Sequence, residues 1–590
     1  MRRRTSLTII AVVAVLLSLL PGRGAPVYAA STFTFHGSGY GHGLGLSQWG
    51  AYGLAQMGWS HQRIVTHFYT RTKVERRDTL PPSIRIGLTS GRTLVHLTAR
   101  GGPVRIWEGK PRSGALVGKI PMDKTWTVAA KTHDYAVRDA AGSLVGRGGS
   151  PKRHLYLTYA DTGSRVFVPE ADEIWHRGFT YGRGTIEFNL TSCGDTNGCS
   201  ERMIAKVGLE EYLYGLGEVP ASWPMETLEA QAVAARSYAV YSMRHTGLRG
   251  DCNCHLTDGS GDQVYVGYNR ELEAQGARWV NAVDATRRQV AVYGGSVIQA
   301  FYAASDGGHS EDVENVWHGG NDAYAIPWLR GVCDPGESTA ANPWDDWTRS
   351  FDAATVSSRL APYTGSIGTI GSFQNVRRGS SGRILTAVAR GSNGAATVTG
   401  TEIRAALGLP DDRVWINADR NVTGPLRETY DALMCAPGLP ASPTTDLSGG
   451  AQQFFDNGGL YRNGGAGITL WLRGRLDREY RAVGAGKGVL GLPVASVKSF
   501  ARAVAGDTLT CATCRRVDFA RGRIFFKAGL GANALWGRVL EAYAGEDGIN
   551  GSLGFPETRV RSMRGGGVRA RFEAGRIACP KGEHCRVNYG

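Results

Sequence analysis

The sequence predicts a mixed α/β fold of the α+β kind, with a smaller unit built from repeats behind it. Three observations point there. Residues 82–185 alternate apolar and polar positions over short runs, as in Ile84-Arg85-Ile86-Gly87-Leu88 and Val104-Arg105-Ile106-Trp107, with glycine-rich turns between them. A period of two marks half-buried strands. Residues 209–245 change to helical spacing, with Leu228, Ala232, Ala235, Ala239 and Met243 recurring on one face. Beyond residue 450 short elements recur: Phe455-Asp-Asn-Gly-Gly-Leu-Tyr461 is echoed by Phe519-Ala-Arg-Gly-Arg-Ile-Phe525, and Leu490-Gly-Leu-Pro493 by Leu553-Gly-Phe-Pro556. Internal repeats of this size signal stacked small units.

Taken in chain order, residues 1–29 read as a secretory leader. Arg2, Arg3 and Arg4 form the positive end, Ser6 to Leu20 the apolar stretch, and Val27-Tyr28-Ala29 the cleavage site. The alternative is an uncleaved anchor. No later stretch is long and apolar enough to span a membrane, so the expected location is secreted, extracellular or cell-wall associated. The β-rich part follows within a unit covering residues 30–440. Pro224, after Ser222, is expected in the first turn of a helix. Another helix is expected over Glu271 to Thr286, and a hairpin with Gln289–Tyr293 and Ser296–Ser305 flanking Gly294-Gly295. Residues 383–410 read as strands and a short helix. The stretch 436–450, APGLPASPTTDLSGG, has the composition of a linker.

Lys and Arg number 67 against 52 Asp and Glu, a net charge of +15 that reads as spread along the chain. Without a basic stripe or a nucleic-acid motif, nucleic acid is not expected as a partner. Attraction to an anionic envelope is the simpler account. Ten cysteines in an exported chain favour disulfides. Cys193–Cys199, Cys511–Cys514 and Cys579–Cys585 are the local pairs expected. Cys252 and Cys254 are expected not to bond each other, which leaves two connectivities among Cys252, Cys254, Cys333 and Cys435.

The residue with most chemical promise is Glu218. It follows Gly215-Leu216-Gly217 and precedes Val219-Pro220, so an irregular backbone presents a lone carboxylate between two helical segments. Trp223 and Tyr214 are expected to wall it off from water. Desolvation raises a carboxyl pKa, and a protonated acid near neutrality can protonate a glycosidic oxygen. The structural alternative is a carboxylate that merely complements a helix dipole.

Glu218-Val-Pro, Ser222-Trp-Pro and Glu229-Ala-Gln-Ala-Val-Ala-Ala-Arg-Ser-Tyr238 resemble the core signature of the SpoIID/LytB family. Asp262-Gln-Val-Tyr265, Ala300-Phe-Tyr-Ala-Ala-Ser-Asp-Gly-Gly308 and Ser381-Gly-Arg-Ile384 continue the pattern. The resemblance implies a peptidoglycan lytic transglycosylase with Glu218 as catalytic residue, releasing 1,6-anhydromuramyl ends. Asp258, Asp262 and Asp306 stay open as a second carboxylate for a muramidase-type hydrolysis. The LytB name implies the alternative of a non-catalytic, glycan-binding modulator of a cell-wall amidase. The family's Gly-His-Gly…Ser-Gln-Trp-Gly-Ala motif closes most members but opens this chain at His42 to Ala51, which reads as circular permutation. Residues 37–74 are then expected beside residues near 410.

Substrate contacts are expected from Gln231, Arg236, Tyr302 and Ser305, and from His42, Ser47 and Gln48 of the opening motif. No cofactor is expected. Zinc at Cys252, Cys254 and His255 is the weaker alternative, because the spacing is not a standard four-ligand pattern. Residues 451–590 resemble LGFP repeats, which implies wall association. The partners implied are peptidoglycan glycan strands, the anionic wall and other wall hydrolases.

Overall fold

A computed structural model describes residues 32–590 except 151, 172–176, 195–197, 340, 500, 501, 505, 506 and 510–513. The expected leader, residues 1–29, lies outside the described residues. The β-rich expectation for 82–185 holds: two antiparallel-dominated sheets, of seven and six strands, face each other across one core. The seven-stranded sheet includes Ser83–Arg92, Val104–Glu108, Leu155–Tyr159, Thr185–Gly194 and Gly198–Gly208. The last of these runs straight into the helical region that carries Glu218.

Four helices frame the centre of the molecule: α1 (Gln48–Gln56), α2 (His61–Phe68), α3 (Leu209–Tyr214) and α4 (Met225–His245). Pro224 is the residue before α4 rather than within its first turn. Helix α4 is buried nearly all round. Leu228, Ala232, Ala235 and Ala239 enter the sheet-side core, whereas Ala230, Val233 and Ala234 enter a second core with Leu54, Ile64, Val65 and Phe68 of α1 and α2. Small residues on both faces let neighbouring elements approach closely, which is why alanine dominates a helix with two buried sides.

The opening motif has its own packing logic. Ser47 caps α1, accepting from the Gly50 N–H at 3.1 Å. Gly50 and Gly53 lie one turn apart, where α1 meets the turn Pro335–Glu337. A Cβ on Gly53 would sit 1.9 Å from the Gly336 carbonyl oxygen. Only glycines permit this contact.

Strand Thr32–Gly37 pairs on one side with Trp347–Asp352 and on the other with Val414–Ile416. The Gly41 N–H donates to the Pro410 carbonyl. Residues 35–41 therefore lie beside residues 410–416. Strands Ile370–Arg378, Ile384–Gly391 and Gly394–Thr399 and helix Gly400–Leu407 complete this part. The hairpin expected after Gly294-Gly295 is short: Ser296–Val297 pairs back on Gln289–Tyr293, and the chain then leaves, so that Tyr302–Ala303 pairs in parallel with Leu46–Ser47. The helix expected over 271–286 is two pieces, Asn269–Leu272 and Gly276–Ala285.

The stretch 436–450 is packed rather than a loose linker, and the reason is chemical. The Tyr430 hydroxyl donates to the Gly438 carbonyl, as Tyr480 does to Gly491 and Tyr543 to Gly554. Pro440, Pro493 and Pro556 bridge to Phe455, Phe519 and Phe572, whose rings lie against the same three tyrosines. Gly438-Leu439-Pro440 thus occupies the place of Gly491-Leu492-Pro493 and Gly554-Phe555-Pro556, and each glycine has positive φ. Three four-stranded sheets follow, beginning at Thr445, Lys498 and Arg561.

Disulfides also depart from expectation. Cys252 and Cys254 bond each other, with Cα atoms 5.1 Å apart, and Cys333 bonds Cys435. Asn253 between the first pair has φ of 51°, and this left-handed residue closes the tight loop. Cys579–Cys585 forms as expected. Cys199 and Cys514 are disulfide-bonded, while the side chains of Cys193 and Cys511 lie outside the described residues.

Candidate active site around Glu218

Residues 215–218 form a turn pinned against the loop 262–266. The Gly217 N–H donates to the Val264 carbonyl and the Val266 N–H to the Gly215 carbonyl, both at 2.9 Å. A Cβ on Gly215 would meet the Tyr265 ring at 2.4 Å, so the approach requires glycine. The segment after Glu218 is held by guanidinium groups. Arg270 donates to the Val219 carbonyl, and Arg278 to the carbonyls of Ala221 and Trp223. The carboxylate therefore projects from a braced backbone.

Glu218 is partly exposed, yet its head group is crowded by protein. Its Oε1 accepts from the Val264 N–H at 2.7 Å and from the Tyr302 hydroxyl at 2.8 Å, and the nearby Gln48 amide also favours the charged form. Desolvation raises the pKa from 4.5 to about 7, outweighing these bonds, which favour the charged form. Behind Tyr302 the chain of bonds continues. Gln263 Nε2 donates to the Tyr302 hydroxyl at 2.8 Å, and the Tyr212 hydroxyl donates to Gln263 Oε1 at 2.9 Å. Every member has its polar partner fixed, which orients Tyr302 toward Glu218. The site is thus an acid that keeps its proton near neutrality, beside a tyrosine locked by hydrogen bonds.

The structure distributes the expected site residues unevenly. Gln48, Gln231 and Tyr302 gather around Glu218: Gln48 Nε2 donates to Gln231 Oε1 at 3.4 Å, and both glutamines are buried. They are packed into the protein rather than facing solvent. His42 is close by, its ring against Phe301 and exposed Trp317. Its Nδ1 accepts from the Leu44 N–H, and burial with the Arg383 charge lowers its pKa to about 4, so it is neutral at neutral pH. That state suits hydrogen bonding, not proton delivery.

Three expected substrate contacts are corrected. Arg236 is fully buried and consumed by Glu210 and by the carbonyls of Gln289 and Val283. A guanidinium cannot stay buried without such partners. Ser47 and Ser305 are buried and donate to the two oxygens of Glu337. The expected wall differs too. The Tyr214 hydroxyl binds Asp284, while Trp223 packs with Trp49 and Tyr52 at ring distances of 4.6 and 5.1 Å. At the residues named for the zinc alternative, Cys252 and Cys254 are bonded to each other and His255 Nδ1 accepts from the Arg85 N–H. Asp262 is held by Arg249, Thr257 and Tyr238, and Asp306 is buried beside Glu337. Neither hydrogen-bonds Glu218. Sequence reasoning missed Tyr212, Gln263 and the Val264 N–H as supports. Their only signal was their place beside Asp262 and in α3.

Residues 198–293 match the sequence profile of the SpoIID family, described as Stage II sporulation protein. That segment contains Glu218, Gln231 and Gln263 but not His42, Gln48 or Tyr302. An uncharacterised protein of Brachyspira hyodysenteriae is 34% identical over 164 residues, 28% of this chain and 41% of that protein. Stage II sporulation protein D of Bacillus subtilis is 26% identical over 220 residues, 36% of this chain and 60% of its own length. The amidase enhancer of Bacillus subtilis is 34% identical over 147 residues, 25% of this chain and 17% of its own. The chain thus spans from under a fifth to three fifths of the length of these relatives. No helix among the described residues is long and apolar enough to cross a membrane. The segment that carries Glu218 is thus similar to the SpoIID family and to relatives named Stage II sporulation protein D and amidase enhancer.

Proposed function

We propose that this protein is a cell-wall-acting lytic transglycosylase that cleaves peptidoglycan glycan strands at MurNAc–GlcNAc bonds. The observation that carries the reading is the carboxyl of Glu218, raised to about 7 by burial and held by Tyr302 and the Val264 N–H. Glu218 donates its proton to the glycosidic oxygen as the C1–O bond breaks. The C6 hydroxyl of the same muramyl sugar attacks C1, and the Glu218 carboxylate takes that hydroxyl's proton. The products are a new sugar hydroxyl and a 1,6-anhydromuramyl end, with no water consumed and the acid restored. One group serves as acid and then base, which matches a pKa near 7. A two-carboxylate hydrolysis, whose second acid sits well beyond hydrogen-bond reach of the first, is distinguished from this route by its products.

The experiment is product analysis by mass spectrometry after incubation with glycan strands. Anhydro-ended fragments are expected from the wild type and none from Glu218→Gln. Reducing ends without anhydro sugars identify a muramidase instead. The name of the amidase-enhancer relative favours a second reading, a non-catalytic glycan binder that stimulates an amidase. It is upheld if neither variant cleaves and a partner amidase accelerates.

Residues 451–590 are proposed to hold the protein to the anionic wall. They contain 22 Lys and Arg against 11 Asp and Glu, so a surplus of 11 out of the chain's 15 sits there rather than evenly along the sequence. A cavity of about 970 Å³ brings Arg473, Arg475, Arg478 and Arg515 around Trp471. Four exposed guanidinium groups beside an indole suit an anionic glycan. Deleting residues 451–590 is expected to weaken retention on whole walls while sparing cleavage of soluble glycan.

A further inference from the structure

The least explained cluster in the molecule lies behind α1. Asp306, Asp334 and Glu337 are all but fully buried, and each offers an oxygen within 4.8 Å of the others'. Glu337 has its lone pairs met: Oε1 accepts from Ser47 and from the Asp306 N–H, Oε2 from Ser305 and Asn342. The two aspartates are different. Asp306 Oδ1 accepts from the Gly308 N–H and Asp334 Oδ1 from the Gly336 N–H, but Asp306 Oδ2 and Asp334 Oδ2 are buried with no hydrogen-bond partner. An unpaired buried carboxylate oxygen is costly, and two in one cluster call for a missing positive partner.

Nearby cations do not supply it. Arg383 is paired with Asp411 and Asp412, and Arg427 with Asp345 and Asp431, while Nη2 of Arg427, near Gly308, is buried without a hydrogen-bond partner and reaches none of the three carboxylates. Arg413 donates to Ser38 and to the Ser381 carbonyl. Among the described residues no Lys, Arg or His forms an ion pair with Asp306, Asp334 or Glu337. Burial, with mutual repulsion, raises the pKa of both aspartates.

We propose that Asp306, Asp334 and Glu337 bind one hard divalent cation of the calcium class. The donor set is all oxygen, which selects against thiolate- and imidazole-preferring metals. The site joins three segments: the start of α1 through Ser47, the Asp306–Gly308 turn and the Asp334–Glu337 turn. A bound cation therefore fixes the helix that presents Gln48 to Glu218. A second mixed cluster, His61 with Glu226 and Glu229, is already satisfied as an ion pair, with His61 Nδ1 2.7 Å from Glu229.

The test uses the full chain stripped with EDTA and then titrated with Ca²⁺. Equilibrium dialysis with calcium-45 is expected to find one ion bound per chain in a saturable manner. A hundred-fold excess over Kd is expected to raise the melting temperature by about 3 °C. Asp334→Asn and Asp306→Asn, each of which relieves repulsion, are expected to fold and to lose the calcium-dependent rise, while Glu229→Gln keeps it. The proposal is overturned if the wild type binds no stoichiometric calcium. It is equally overturned if the rise persists in Asp334→Asn, or if stability follows pH alone, which would place a shared proton between the aspartates.

Discussion

Replacing Glu218 by glutamine is expected to abolish glycan cleavage and, at the same time, to stabilise the protein in alkaline buffer. The neutral amide keeps an oxygen for the Val264 N–H and the Tyr302 hydroxyl but carries no charge to desolvate. Burial raises Glu218 from 4.5 to about 7, a difference worth no more than about 3 kcal/mol at 1.36 kcal/mol per pKa unit. Because the folded state holds the proton more tightly than the unfolded chain, the wild type suffers no penalty below pH 4.5. It loses stability as pH rises from there, and the loss is complete above about 7. Glutamine is indifferent to pH. The variant is therefore expected to melt close to the wild type at pH 4.5 and higher than it at pH 9. With an unfolding entropy of about 2 cal/mol/K per residue over roughly 400 residues, the gap is at most about 4 °C. Calorimetry of both proteins between pH 4.5 and 9 measures it. A gap that does not change with pH would show that Glu218 ionises like an ordinary surface glutamate, and the proton-retention argument would be lost.

Three other outcomes follow from the same geometry. Tyr302→Phe removes a donor that favours the charged carboxylate and an acceptor for Gln263, so the alkaline limb of the pH–kcat/KM profile should move upward from about 7, with a stability loss of about 1 kcal/mol. Removing both Cys333 and Cys435, which are separated by 102 positions, should lower the unfolding free energy by about 4–5 kcal/mol in denaturant titrations if chain entropy dominates. Gly50→Ala would place a Cβ 1.7 Å from Asp334 Oδ2, and the forced shift should cost about 1–3 kcal/mol, read from the denaturation midpoint.

Local patterns in this chain are legible wherever the physics is local. The period-two runs of 82–185 are strands because their apolar faces meet across one core. Glu218 sits in an irregular turn because glycines and a proline bound it. What failed were assignments that depend on distant partners. Arg236 looks like a binding residue on a helix, but Glu210 twenty-six positions away makes it part of the core. Ser47 and Ser305 look available until Glu337 folds against them. A bond between Cys252 and Cys254 is not expected from the sequence, yet a single left-handed Asn253 makes it fit. The composition of 436–450 is that of a linker and masks a Gly-Leu-Pro motif recognisable only beside Tyr430.

By itself the amino-acid sequence determined the element types, the braced turn at Glu218 and the family-like motif, because backbone restriction and hydrophobic period act between near neighbours. Only the tertiary structure decided the chemistry of that turn. The pKa of Glu218 depends on Tyr302, Val264 and Gln48, which lie far apart along the chain and meet only when the sheets, α1 and α4 are packed. Desolvation is a property of the surroundings in space, and no spacing in a sequence encodes it.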